Sequence, residues 1–159
     1  MYASPFSLSA YASTPANGEP APDSQPSRPH SESEQLAGKR VVIVEDEGIT
    51  QLQLKRLLKS AGLVVVGMAA DGASGVEIVL REKPDIVLMD IKMPGEIDGL
   101  EAARRILSKI STCMVMLTAF IDHEEEAFAL GARGYVMKPI DSRSLLPRLV
   151  EAYERFMPQ

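Results

Sequence analysis

Three stretches of this chain are apolar at every position rather than at every second one, which limits the folds open to it more than any other feature. Val41-Val42-Ile43-Val44, Ile86-Val87-Leu88-Met89 and Cys113-Met114-Val115-Met116-Leu117 are short, and each stops abruptly at a polar group. A run of that length without alternation reads as a strand covered on both faces, the situation of a parallel sheet flanked by helices. Helical spacing fills the intervals. Leu54, Leu57, Leu58 and Ala61 share one face and Gly62 closes that helix. Val64 to Met68 is a second strand, and Asp71 caps a helix carrying Ala73, Val76 and Leu80, which Pro84 ends. Leu100, Ala103, Leu107 and Ile110 mark the next helix. Another starts at Asp122, capped by that side chain, with Glu124, Glu125 and Glu126 in its positive first turn and Gly131 at its end. Gly134 to Met137 is a short fifth strand, and a last helix runs from near Asp141 through Leu145, Leu146, Leu149 and Tyr153, with Pro147 either in its first turn or at a kink. Five strands alternating with five helices predict an α/β doubly wound, open parallel sheet with right-handed crossovers. In such sheets the binding crevice lies at the carboxyl ends of the strands.

Composition narrows the function classes. Of 159 residues 45% are hydrophobic and 25% charged, enough for one domain with a real core. Residues 1–38 stand apart: Ser, Ala and Pro dominate, six of the eleven prolines fall there, and no apolar period appears. That segment is expected to be a disordered tail, more simply a passive one than a docking peptide around Tyr2, Phe6 and Tyr11, with the folded domain over 39–159. The net charge of -5, with no basic cluster larger than Lys39-Arg40 or Arg104-Arg105, argues against direct nucleic-acid binding. The single cysteine, Cys113, lies in an apolar run and excludes an internal disulfide. No apolar run approaches the ~20 residues of a membrane span. The first Lys or Arg is Arg28, so the amino terminus lacks a signal-peptide pattern, and a cytoplasmic location is expected.

The strand ends deliver Glu45 and Asp46, then Asp90, Thr118 and Lys138, to one edge. Three carboxylates in one crevice repel one another unless a cation intervenes, and an all-oxygen set favours Mg2+. Glu45, Asp46, Asp90 and the backbone carbonyl of Lys92 are the expected ligands. A divalent ion, a lysine and a hydroxyl around one carboxylate make a cradle for a phosphoryl group, since its transfer is mainly positioning and charge neutralisation. Asp90 is then the nucleophile that forms an acyl phosphate, with Thr118 and Lys138 binding its oxygens.

The segments Val-Val-Ile-Val-Glu-Asp-Glu at 41–47, Met-Asp-Ile-Lys-Met-Pro at 89–94, Asp98-Gly99, Leu-Thr-Ala at 117–119 and Gly-Tyr-Val-Met-Lys-Pro at 134–139 together resemble the receiver domains of two-component response regulators. The resemblance covers residues 40–157 and implies a flavodoxin-like strand order 2-1-3-4-5. It implies phosphorylation of Asp90 by a sensor histidine kinase or a histidine phosphotransfer protein, and a cis peptide between Lys138 and Pro139. It also implies that Thr118 and Tyr135 form a switch, remodelling the surface of the helix after Asp122, the strand 134–137 and the last helix. That surface would bind a partner or a second copy of the chain. Lys92, Ala119 and Phe120 match positions bordering the phosphoryl group, where a bulky Phe120 would slow self-dephosphorylation. One departure is present: Gly95, Glu96 and Ile97 separate Pro94 from Asp98-Gly99, one residue more than in many receivers.

The leading expectation is thus a phosphorelay switch that is not an enzyme beyond self-phosphorylation and self-dephosphorylation. With no segment after the last helix to serve as an output domain, it is expected to stand alone and act through protein contacts. A partner-binding pseudo-receiver is the alternative, opposed by the full set at 45, 46, 90, 118 and 138. A haloacid-dehalogenase-type hydrolase would need a general acid two residues after the nucleophile, where Lys92 stands. His30 and His123 are isolated and read as ordinary polar residues.

Overall fold

A computed structural model describes residues 31–158 of the chain. Its strands are β1 (Arg40–Val44), β2 (Val64–Ala69), β3 (Ile86–Asp90), β4 (Cys113–Thr118) and β5 (Gly134–Met137). Its helices are α1 (Glu32–Leu36), α2 (Gly48–Ser60), α3 (Gly72–Glu82), α4 (Gly99–Leu107), α5 (Glu124–Leu130) and α6 (Ser142–Phe156). All five strands run parallel in the order β2-β1-β3-β4-β5. The unalternated runs behave as their pattern requires: every residue of β3 and β4 is buried.

Period two survives within those runs and assigns each apolar side chain to one of two cores. Val41, Ile43, Ile86, Leu88, Cys113, Val115 and Leu117 face α1, α2 and α6, meeting Leu36, Leu54, Leu58, Leu145 and Leu149. Val42, Val44, Val87, Met89, Met114 and Met116 face the other way, onto Val79 of α3, Leu100, Ala103 and Ile106 of α4, and Ala127 of α5. Burial pushes the Cys113 thiol up to about 12, leaving a small inert core residue.

Four local expectations need correction or completion. The folded part begins earlier than residue 39, because α1 inserts Leu36, fully buried, against the α2/α6 core. Ser31 and Glu34 close α1 with a capping box. This makes six helices among the described residues, while the disorder expected for residues 1–30 lies outside them. On α3 the inward residues are Gly72, Gly75 and Val79, whereas Ala73 is exposed and Val76 and Leu80 are half-buried. The two glycines bring the helix so close that a Cβ at Gly75 would sit 2.7 Å from Val44, and one at Gly72 would sit 2.7 Å from the Ile97 carbonyl. Asp71 does cap α3, accepting from the Ser74 amide at 2.8 Å. Asp122 does not cap α5, whose N-cap is His123 without a side-chain bond. Asp141 caps α6 through Ser144, so Pro147, the sixth residue of α6, lies beyond the first turn and removes one helical hydrogen bond.

Candidate functional site

Each site residue sits where a strand runs out. Glu45 follows β1, and its amide donates to the Ala69 carbonyl at 3.0 Å, so the backbone continues the ladder for one more residue. That extension holds the Glu45 side chain inside, fully buried, while Asp46 turns outward and is exposed. Asp90 closes β3 at 5% exposure and Thr118 closes β4 at 1%. Lys138 follows β5, with its amide on the Thr118 carbonyl at 2.7 Å and a cis peptide to Pro139 after it.

Four of these groups converge, and Thr118 ends the strand beside Asp90. The Lys138 ammonium lies 3.0 Å from Asp90 Oδ2 and 2.6 Å from Glu45 Oε2. Carboxylate oxygens of Glu45, Asp46 and Asp90 all lie within 4.8 Å of one another. Glu45 Oε1 accepts the Glu47 amide at 3.1 Å, and Oε2, fully buried, is paired with the Lys138 ammonium. Three carboxylates against one ammonium leave an excess of negative charge at this edge, and an oxygen-only donor set fits a hard cation such as Mg2+. Burial raises the pKa of Glu45 above its ordinary value, and the Asp90 charge adds to this, against the opposing pull of Lys138 and the Glu47 amide. For Lys138, burial works against the ammonium, yet its bonds to Glu45 and Asp90 prevail and its pKa is raised. The lysine is a fixed cation.

The loops that follow the strands are tied to the same centre. Lys92 donates its amide to Asp90 Oδ1 at 3.3 Å, and its ammonium lies 3.9 Å from the centroid of the Phe120 ring. Thr118 Oγ1 accepts the Phe120 amide at 3.0 Å, and the Phe120 carbonyl accepts the half-buried Tyr135 hydroxyl at 2.6 Å. Ala119 is small and exposed beside them. The sequence did not signal that Phe120 bridges Thr118 and Tyr135, because the bridge is made by its backbone. Nor did it signal Gly99 as a spacer: a Cβ there would collide with the Asp90 carbonyl. In the lengthened loop, Ile97 packs into the α3/α4 core next to Gly72.

A family description, the response regulator receiver domain, matches residues 41–150. The transcriptional regulatory protein PdtaR of Mycobacterium tuberculosis (strain ATCC 25618 / H37Rv) is 38% identical over 130 residues, which are 80% of this chain and 63% of that protein. The chain therefore spans less than two thirds of that relative's length. The chemotaxis protein CheY of Treponema pallidum is 36% identical over 115 residues, 69% of this chain and 79% of its own. Among solved structures, the response regulator domain of Thermotoga maritima CheB superposes with a TM-score of 0.64 at 33% identity, covering 74% of this chain and 95% of that one. CheY in a CheX-CheY-BeF3-Mg2+ complex from Borrelia burgdorferi superposes at 0.72 with 26% identity, covering 77% and 98%.

Proposed function

The chain belongs to the response regulator receiver domain family, and on that premise we propose that it is a switch thrown by phosphorylation of Asp90. The observation that carries this is the Lys138 ammonium set between Glu45 and Asp90, with Asp46 completing a three-carboxylate cluster at the carboxyl edge of the sheet. The donor is phosphohistidine on a sensor kinase or phosphotransfer protein. An Asp90 oxygen attacks phosphorus, an O–P bond forms as the N–P bond breaks, and the imidazole nitrogen keeps the electron pair and takes a proton. Lys138 neutralises phosphoryl oxygens, and the Thr118 hydroxyl donates to them. Glu45, Asp46, Asp90 and the Lys92 carbonyl would hold Mg2+, which supplies further positive charge to the phosphoryl oxygens. The Borrelia burgdorferi complex, which unites a protein of this fold with BeF3 and Mg2+, supports the same pairing of ion and phosphoryl-like group.

The signal leaves through Thr118 and Tyr135. Phe120 ties the two together at rest, so a phosphoryl group that draws in the Thr118 hydroxyl disturbs the anchor of Tyr135. The neighbouring surface of α5, β5 and α6 exposes Ile121, Phe128 and Met137, an apolar set suited to a partner protein or a second copy. Phe120 is bulky beside Thr118 and narrows the approach of water to an acyl phosphate, favouring a long-lived phosphorylated state, while the small Ala119 leaves room for the donor.

Incubation with Mg2+ and acetyl phosphate, read by intact mass, tests the reading. Wild type is expected to gain one phosphoryl group and Asp90→Asn none. Uptake by both proteins would place the modification elsewhere. Uptake by neither would leave a receiver-shaped module that only binds partners.

A further inference from the structure

The phosphoacceptor reading of Asp90, on which this inference rests, leaves Lys92 with only a carbonyl to offer and its long side chain without a part. That side chain is exposed, yet it is not loose: the ammonium sits 3.9 Å from the Phe120 ring centroid. Phe120 is itself 47% exposed, and its ring meets the Lys92 ammonium in a cation–π contact. The two residues come from different loops, the one after β3 and the one after β4. Behind Lys92 lies Asp90, whose Oδ1 accepts the Lys92 amide. Behind Phe120 lie Thr118, which accepts its amide, and Tyr135, which donates to its carbonyl. Asp90, Lys92, Phe120, Thr118 and Tyr135 thus form one connected chain in which the ring contact is the weak link.

The weak link is also the charge-sensitive one. Phosphorylation replaces the single charge of the Asp90 carboxylate with an acyl phosphate carrying up to about two, a net gain of about one negative charge, and adds three acceptor oxygens beside the backbone of Lys92, whose amide Asp90 already accepts. A charge-assisted hydrogen bond to such an oxygen is stronger than an exposed ammonium–ring contact. We propose that Lys92 is a positioning residue that converts the charge on Asp90 into release of Phe120. Its ammonium rests on the ring while Asp90 is a carboxylate and passes to the phosphoryl oxygens once Asp90 is phosphorylated. Phe120 then loses its side-chain anchor, and the backbone that holds the Thr118 and Tyr135 hydroxyls is free to rearrange. No covalent bond changes in this step.

Nuclear magnetic resonance of the whole chain reads the contact directly, because ring current shifts the Lys92 ε-methylene protons upfield while they lie over the ring. In Mg2+ alone that upfield shift is expected, and Phe120→Leu should abolish it. Adding beryllofluoride with Mg2+ should return the signal to the ordinary lysine position. Lys92→Gln, without any phosphoryl mimic, should move the Tyr135 ring resonances part of the way toward their beryllofluoride-bound position. Loss of one exposed cation–π contact corresponds to about a two- to five-fold change in the resting ratio of the two states. Lys92→Arg, whose guanidinium also stacks on aromatic faces, should restore the resting position. If Thr118 and Asp90 respond to beryllofluoride while the Lys92 signal stays upfield, or if Lys92→Gln leaves Tyr135 unmoved, this inference fails and the phosphoacceptor reading stands. If no residue of the site responds, both fail together.

Discussion

Glu45 carries the least comfortable charge in the protein, a carboxylate with no exposed surface and one oxygen facing only the Lys138 ammonium. Its raised pKa, caused first by burial, means that the folded state penalises the ionised form. Below its ordinary value of 4.5 the group is protonated folded or unfolded and its contribution to stability is whole; as pH climbs through the raised folded value, that contribution is lost. Lys138 has the opposite placement: its raised pKa keeps its contribution constant until the pH exceeds 10.5. In metal-free buffer, Glu45→Gln is therefore expected to raise stability at neutral pH, a gain that fades toward pH 4. Urea unfolding at several pH values with a chelator present measures it. An equal gain at all pH values, or a loss at neutral pH, would contradict the assignment. With Mg2+ the order should invert, since an ion at ten times its dissociation constant stabilises the wild type by about 1.4 kcal/mol.

At the scale of elements, glycines decide how near each helix comes to the site. Gly99 opens α4 with its amide on the Ile91 carbonyl at 2.8 Å, and its α-carbon lies where a methyl group would overlap the Asp90 carbonyl. Gly99→Ala must push the start of α4 off β3, at a cost of about 1–3 kcal/mol or more. Because the displaced backbone is that of the phosphoacceptor, the rate of labelling by acetyl phosphate should fall along with the unfolding midpoint. A variant that loses stability but labels at the wild-type rate would separate the helix from the site. Gly72 plays the same part for the loop before α4, making room for the Ile97 carbonyl. Within the lengthened segment between Pro94 and Asp98, Ile97 packs inward while Gly95 and Glu96 are exposed.

At the scale of the whole molecule, the domain edge is set by Leu36. Its side chain lies in the same core as Leu54, Leu58, Leu145 and Leu149, and the Gly38 amide bonds the Gly62 carbonyl at 2.8 Å, tying the segment after α1 to the end of α2. A chain lacking residues 1–30 keeps α1 and the contacts of Leu36 and serves as the reference truncation. Removal of 1–38 uncovers the site that Leu36 fills and should cost about 2–5 kcal/mol, comparable to truncating a buried leucine. Thermal unfolding of the two truncations gives the comparison, and equal midpoints would show that α1 is dispensable.

What the amino-acid order determined by itself was the part governed by short range. Apolar runs without alternation required a sheet covered on both faces, and the abrupt polar end of each run required that Glu45, Asp90, Thr118 and Lys138 share one edge. Such conclusions need only neighbouring residues and the period of a strand. The tertiary structure decided whatever depends on two segments meeting. Leu36 looks like the end of a polar tail until the α2/α6 core is present to receive it. Ala73 looks like an inward residue of α3 until Gly72 and Gly75 let the helix approach on another face. Asp122 has the chemistry of a helix cap, but α5 starts two residues later. Phe120 has an apolar side chain and nothing else in its name, yet its amide, carbonyl and ring each meet a different residue of the site. Period and propensity act along the chain, whereas close approach and backbone hydrogen bonding act across it, so the groups at the edge were legible in advance and their connections were not.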